Sequence, residues 1–194
     1  MTPRDTSLPA TVESGRVASA GRDRAALDVS FTQAYDELRR LARIIRRDDA
    51  SATIDPTALV HAAWLKLAAA PAGAAAAATP LEFRRVVGRA MRQVLVDAAR
   101  ERHAKKRGGR DVIVVTLSGE AEKVPALTTD VLALHDALTD LERMSPRQAA
   151  VVESRYFAGL DVAETAQLLG VSGTTVHRDW RVASAWLKAV LRPE

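Results

Sequence analysis

The sequence predicts an all-α protein: two small helical domains joined by an extended linker, the second built around a helix-turn-helix. Three observations carry this. Ala, Leu, Val and Arg dominate the 194 residues, against three Trp, two Tyr and three Phe, a mix that favours helices over a strand-rich sandwich. Apolar residues, 47% of the chain, recur at three- and four-residue steps through most of its length, the period of an amphipathic helix. That apolar content can build real cores, and the length suits one medium domain or two small ones.

Taken in order, residues 1–10, with Pro3, Pro9 and scattered Ser and Thr, read as a disordered leader. The helical pattern starts near Thr11. Tyr35, Leu38, Leu41, Ala42 and Ile45 mark one face of a helix whose other faces carry Arg39, Arg40, Arg43, Arg46 and Arg47. A turn across Asp48–Asp55 leads to a second helix opening at Pro56, a residue suited to a first helical turn. The Ala-rich stretch Ala68–Pro80 reads as a loop. A third helix spans Leu81 to Arg107, and Gly108-Gly109 closes it.

Residues 109–129 read as the linker. Within it Val112–Leu117 is rich in β-branched residues, but a single strand is expected to find nothing to pair with. The second domain covers 130–194. A helix over Leu132–Leu141 is followed by Ser145-Pro146-Arg147-Gln148, the pattern of a capping box with Pro at the first helical position. That helix runs to about Phe157 and breaks at Gly159. Asp161-Val162-Ala163-Glu164 caps the next, Gly170-Val171 turns, and Ser172 opens a final helix to about Leu191.

Charge is segregated. Arg84 to Arg110 holds ten Arg or Lys against Asp97 and Glu101, a net of 10 − 2 = +8, whereas Leu117 to Ser145 holds six acids against Lys123 and Arg143, 2 − 6 = −4. A basic block of this kind calls for a polyanion or an acidic surface, and nucleic acid is the first candidate. Arg85, Arg89, Arg92 and Arg100 repeat so that several share one helix face, where phosphate neutralisation gives affinity without sequence preference. The plain alternative is a solvated charged face. The −4 stretch is expected to lie over this basic helix in the free protein.

Asp161–Trp180 has the layout of a helix-turn-helix. Ala166 is small where two helices cross, Gly170 tolerates the turn's positive φ, and Val176 returns to plug the core. Such a geometry delivers the second helix to a major groove. Its groove-facing candidates are Ser172, Thr174, Thr175, His177, Arg178 and Arg181, where Arg forks onto guanine edges and hydroxyls hold phosphates. The plain alternative is an ordinary helical hairpin with Gly at a helix end.

Enzyme chemistry finds no support. Without Cys there is no disulfide, thiolate site or cysteine nucleophile. His61, His103, His135 and His177 are scattered and form no metal set, and no phosphate loop or nucleophile elbow occurs. No catalytic residue, cofactor or metal is expected. With no membrane-spanning run and no signal-peptide core, a cytoplasmic location is expected.

Tyr-Asp-Glu-Leu-Arg-Arg-Leu-Ala (35–42), Pro-Thr-Ala-Leu-Val-His-Ala-Ala-Trp-Leu-Lys-Leu (56–67), Arg-Ala-Met-Arg-Gln-Val-Leu-Val-Asp-Ala-Ala-Arg (89–100) and residues 145–187 together resemble an extracytoplasmic-function (ECF) sigma factor of the sigma-70 family. They stand in that family's order and cover most of the chain from about residue 11. The resemblance implies an N-terminal domain (11–108) that binds RNA polymerase core and opens the −10 promoter element. It further implies a C-terminal domain (130–194) that holds the −35 element, with the linker threading through the polymerase. By motif position, Leu59, Val60, His61, Trp64 and Leu65 fall on the core-binding helix. Arg85, Arg89, Arg92, Gln93 and Arg100 fall on the −10 reader, with Gln93 where many members carry an Asn near a base-capture pocket.

The chain departs from the pattern at one place. Family members open the core-binding helix with an acidic cluster, roughly Asp-Ala-Glu-Asp, and carry a further Glu shortly after. Here Asp55-Pro56-Thr57-Ala58 and Ala62 stand instead. Because the polymerase surface is basic in the family, lost charge slows association and weakens docking. Phosphorylation of Thr57, with Thr53 or Ser51 as alternatives, would restore about two negative charges at a helix N-terminus that favours anions. The expected partners are thus polymerase core, promoter DNA and a serine/threonine protein kinase. The competing reading of Thr57 is a neutral first-turn residue. The competing function is a stand-alone helix-turn-helix transcriptional regulator, which would bind promoter duplex without polymerase.

Overall fold

The computed structural model describes residues 10–45, 54–70, 79–105, 113–119 and 124–191. The N-terminal half comprises α1 (Ala10–Ile45), α2 (Pro56–Ala68) and α3 (Pro80–Lys105). Its core follows the apolar periodicity of the sequence. Leu38, Leu41, Ala42 and Ile45 of α1 meet Leu59, Val60 and Ala63 of α2 and Phe83, Val87, Met91 and Leu95 of α3, all buried. Leader residues 1–9, the turn at 46–53, the Ala-rich loop over 71–78 and the Gly108-Gly109 helix end lie outside the described residues.

Helix starts are set by side chains that satisfy the free amides of a first turn. At α2 the Asp55 carboxylate accepts the amides of Thr57 (2.9 Å) and Ala58 (3.3 Å). Burial acts to raise the Asp55 pKa, but the amides of Ala58 and Thr57, the Thr57 side chain and the charge of Arg39 outweigh it and hold the carboxyl below its ordinary value. At α3, Thr79 and Glu82 form a reciprocal capping box, with N–H···O distances of 3.0 and 3.2 Å.

The linker contains the main departure from the sequence expectation. Val114–Gly119 (β1) pairs antiparallel with Val124–Asp130 (β2), in a register that sets Val114 opposite Asp130 and Leu117 opposite Leu127. The β-branched run therefore does have a partner, supplied by Leu127, Thr128 and Thr129 of the linker itself. The amide of Val131 donates to the carbonyl of Ile113 at 2.9 Å, which closes the hairpin base where the next helix begins.

The C-terminal half comprises α4 (Val131–Met144), α5 (Pro146–Val152), α6 (Val162–Leu169) and α7 (Gly173–Val190). Between α5 and α6 the helix widens into a π turn over Glu153–Phe157. Here Ala158 N–H reaches the Glu153 carbonyl at 3.1 Å, and Gly159 at φ +63° ends the helix. The capping box expected at Ser145 is absent: Ser145 makes no side-chain capping bond. It also terminates α4, its amide donating to Leu141 at 2.7 Å, and its backbone conformation (φ −150°, ψ 85°) serves that end.

The capping box at α6 does form, Asp161 and Glu164 exchanging two 2.8 Å bonds. Gly170 ends α6 at φ +64°, ψ 35°, and Ser172 caps α7 by accepting the Thr175 amide. Val176 is wholly buried and Ala166 packs against the core, as the helix-turn-helix layout requires. Buried residues form one cluster running from Leu27 and Leu38 through α3 to Trp180 and Leu187. The two halves are thus packed on each other. None of the described helices is long and apolar enough to cross a membrane.

At Gly170 a Cβ would meet nothing within 4 Å, so substitution there tests the backbone alone. Gly170→Ala is expected to destabilise the protein by about 1 kcal/mol, the left-handed penalty for an L-residue. Gly170→Asn should lose less, because Asn tolerates this conformation. Equal thermal melting of all three proteins would contradict the assignment of this turn.

Candidate nucleic-acid interface

The first surface is the N-terminal part of α7. Thr174, His177, Arg178 and Arg181 are exposed, and their i, i+3, i+4, i+7 spacing places them on one face. Ser172 and Thr175 are partly committed to the cap: their hydroxyls lie 2.9 Å apart and the Ser172 oxygen accepts the Thr175 amide at 3.2 Å. Beneath this face Asp179 is buried. Arg147 of α5 grips its carboxylate through Nε at 2.6 Å and Nη2 at 3.4 Å, and Arg178 Nε lies 3.8 Å away. The carboxylate raises the Arg147 pKa, by hydrogen bonding first and by charge second, against a smaller effect of burial. Arg155 lies over the ring of buried Trp180 at 5.1 Å. Arg147 and Arg155 together fix where α7 sits.

The second surface is α3, and here the structure adds partners that the sequence left open. Arg92 is 11% exposed at its side chain, bonds Glu153 at 2.7 Å and lies 5.7 Å from the centre of the Phe157 ring. Burial, reinforced by Arg89, pushes its pKa down against the pull of Glu153 and Glu142. Arg89 reaches the other Glu153 oxygen at 3.0 Å and Glu142 at 3.8 Å. Gln93 donates to Asp97 at 2.9 Å, and Lys66 of α2 pairs with the same carboxylate at 2.7 Å. Burial opposes ionisation of Asp97, but the bonds from Lys66 and Gln93 prevail and hold it below the ordinary carboxylate range. Arg100 is exposed and Arg85 half-buried. Phe83, near the start of α3, is buried in the core.

The acids that meet α3 come in part from the net-negative stretch and in part from beyond it. From the net-negative stretch 117–145, Glu142 of α4 reaches Arg89 at 3.8 Å, and α4 packs against α3. Glu153 and Glu164 add shorter bonds from beyond it, where the π turn and the start of α6 also pack against α3. Asp140 instead pairs along its own helix with Arg143 at 3.0 Å.

The third surface is α2. Leu59 and Val60 are wholly buried and serve the core; His61 and Leu65 are exposed and Trp64 half-buried. These join Phe31 and Tyr35 of α1 in an aromatic strip. Tyr35 Oη lies 3.2 Å from His61 Nε2, and the Phe31 ring stands 6.1 Å from Trp64 and 5.8 Å from Tyr35. Thr57 is half-buried in the first turn of α2, which holds no acid. Thr53 and Ser51 lie outside the described residues.

Sequence reasoning missed Phe31, Arg84, Arg147 and Glu153. The signal for Asp179 was a charge at an otherwise apolar helical position; for Arg84, Arg147 and Glu153 no local signal exists, since their partners lie on other helices. Among the described residues no cluster of His and carboxylates could hold a metal ion.

A family model described as ECF sigma factor matches residues 17–193 of the chain. Among curated proteins, none matches it.

Removing Arg147 would strand the buried Asp179 carboxylate. Arg147→Ala is expected to lower the melting temperature by roughly 3 °C or more. Adding Asp179→Asn should recover part of that loss by removing the unpaired charge. If the double variant melts no higher than Arg147→Ala, the pair is not what seats α7.

Proposed function

The chain belongs to the ECF sigma factor family, and on that basis we propose how its surfaces divide the work of transcription initiation. As a member it is an alternative sigma factor, a regulatory transcription factor and not an enzyme, and it acts on RNA polymerase core and promoter DNA. The match over residues 17–193 carries this conclusion.

In the proposed division, residues 11–108 bind core polymerase and the −10 element, 109–129 link, and 130–194 hold the −35 element. The exposed face of α7 (Thr174, His177, Arg178, Arg181, with Ser172 and Thr175 at its start) enters the −35 major groove. Arg85, Arg89, Arg92, Gln93 and Arg100 of α3 take the −10 strand. The polymerase contact is made by His61, Trp64 and Leu65, with Phe31 and Tyr35 extending the strip and Leu59 and Val60 holding α2 in place from beneath. An aromatic and apolar strip of this kind suits the core of a protein interface. Action on polymerase places the protein in the cytoplasm.

Docking is proposed to be switched by a serine/threonine kinase acting at Thr57. What supports this is the first turn of α2: it has a hydroxyl where the family has carboxylates, and no acid of its own. A phosphate there adds charge and three acceptor oxygens beside Asp55, within the field of Arg39. It would build with Asp55 the acidic patch that the family's basic partner surface needs.

The test is a pull-down and runoff transcription assay with purified core polymerase, comparing wild type, Thr57→Ala, Thr57→Glu and the phosphorylated protein. Phosphorylated protein should bind core about tenfold tighter than wild type, the worth of one good charge-assisted contact, with Thr57→Glu intermediate. Equal binding by all four removes the switch and keeps the sigma function. If none binds core while the chain alone binds promoter duplex, it works as a helix-turn-helix regulator.

A further inference from the structure

An acid in the middle of a basic face weakens that face's hold on a polyanion, so Asp97 on α3 calls for a reason. Arg89, Gln93 and Arg100 stand four and seven residues apart, a spacing that sets them on one side of the helix. Both arginines are exposed, and Gln93 is half-buried between them. Guanidinium groups so placed can hold a strand by its phosphates, and a carboxamide beside them can read a base edge. Asp97 is bonded to that carboxamide. Its Oδ1 accepts from Gln93 Nε2 at 2.9 Å, and its Oδ2 meets Lys66 Nζ of α2 at 2.7 Å.

The chemistry of this pair fixes which way the amide points. A carboxylate only accepts hydrogen bonds, whereas a carboxamide has a donating end and an accepting end. Turned over, Gln93 would set its oxygen against a carboxylate oxygen and lose the bond. Burial acts against the Asp97 charge, but the bonds from Lys66 and Gln93, with the charges of Lys66 and Arg100, hold the carboxyl below its ordinary value. Gln93 Oε1 has no partner among the described residues and is not one of their fully buried polar atoms. It is therefore left to solvent as an acceptor. For a base held in one pose by its backbone, such an acceptor discriminates by a single group. Adenine and cytosine carry an exocyclic amino group, a donor, where guanine and thymine carry a carbonyl oxygen. The second Gln93 N–H stays available for the ring nitrogen beside that amino group. We propose that Asp97, braced by Lys66, is the positioning residue that sets base preference on α3: it holds the Gln93 carboxamide oxygen-outward, so that an unpaired adenine or cytosine is taken over guanine or thymine. This rests on the assignment of Gln93 to the −10 strand.

The test uses holoenzyme assembled from core polymerase and an excess of the full chain. The template pool is randomised across the −10 element and barcoded downstream, so that each transcript reports its own promoter. Wild type is compared with Gln93→Ala, Asp97→Asn and the double variant Gln93→Glu/Asp97→Asn. At one −10 position wild type should favour adenine or cytosine over guanine or thymine by about tenfold, the worth of one good base-edge contact. The carboxamide of Asp97→Asn can donate or accept, which frees Gln93 to turn. The preference should then fall below about threefold, at that position and at no other. The double variant presents an acceptor in either setting and should regain the preference. In the free chain, side-chain NMR should show a Gln93 amide proton shifted downfield by its hydrogen bond and returned upfield by Asp97→Asn. This reads the orientation without polymerase, and circular dichroism shows that each variant folds.

A preference lost in Gln93→Ala but kept in Asp97→Asn overturns the positioning role and leaves the −10 assignment standing. A preference indifferent to Gln93→Ala removes Gln93 from the −10 strand, and the inference with it. A wild-type preference for guanine or thymine that depends on Gln93 means the amide is turned the other way, and rejects the proposal. An unbonded Gln93 amide in the free chain does the same. A loss in Asp97→Asn spread evenly over all −10 positions assigns Asp97 a structural role only and also overturns the inference.

Discussion

A guanidinium with 9% of its residue exposed has to find its hydrogen-bond partners inside the protein, and Arg84 finds them on three separate segments. Glu37 of α1 lies 2.9 Å away, Glu164 of α6 2.8 Å, and the carbonyls of Ala158 and Gly159 complete the set. Several other features follow from satisfying this one side chain. Gly159 adopts positive φ, and its carbonyl is one of the two that Arg84 holds. Glu164 splits its carboxylate between Arg84 and the Asp161 amide, so the start of the helix-turn-helix is tied to the first residues of α3. A charge buried this way contributes less to net stability than to choosing one arrangement of the helices over others, since a mispacked arrangement leaves it unpaired.

The same logic divides the basic surface in two. Arg84, Arg89 and Arg92 of α3 are compensated within the chain, Arg178 and Arg181 of α7 stay exposed, and Asp179 holds Arg147 beneath that exposed face. The electrostatic field the protein presents is therefore not the one implied by its net charge of +4. The carboxylates of Glu153 and Glu164 neutralise only part of what the basic residues of α3 would otherwise project.

Much of this was legible in the sequence, and the division between what was and was not is physical. Helix-forming periodicity and caps are local, so α2, α3, α6 and α7 begin within a residue or two of where Pro56, Leu81, Asp161 and Ser172 predicted. Gly170 and Val176 serve as the helix-turn-helix layout demands. Ser145 misled because a cap pattern cannot tell whether its residue is also ending the helix before it. The hairpin was hidden because Leu127-Thr128-Thr129 looks like the approach to a helix, and strand pairing is a non-local decision. The basic composition of α3 was plain, but of the acids that meet it only Glu142, on α4, lay in the stretch where they were sought, while Glu153 and Glu164 lay beyond it. Glu153 sits in a segment that reads as ordinary amphipathic helix, and only the widened turn aims it at Arg89 and Arg92. Leu59 and Val60 show the converse: a motif position names a helix, while burial decides which of its residues can touch a partner.

The hairpin base, where the Val131 amide meets the Ile113 carbonyl, also determines how far apart the two halves can travel. With β1 and β2 zipped, the chain leaves the first strand and returns beside it, so the covalent tether between halves has almost no length, and each half sees the other at high effective concentration. Unzipping releases the seventeen residues from Val114 to Asp130, a reach of roughly 55 Å when extended. Paired, these strands keep the two halves close; parted, the same residues would be long enough to span between well-separated sites.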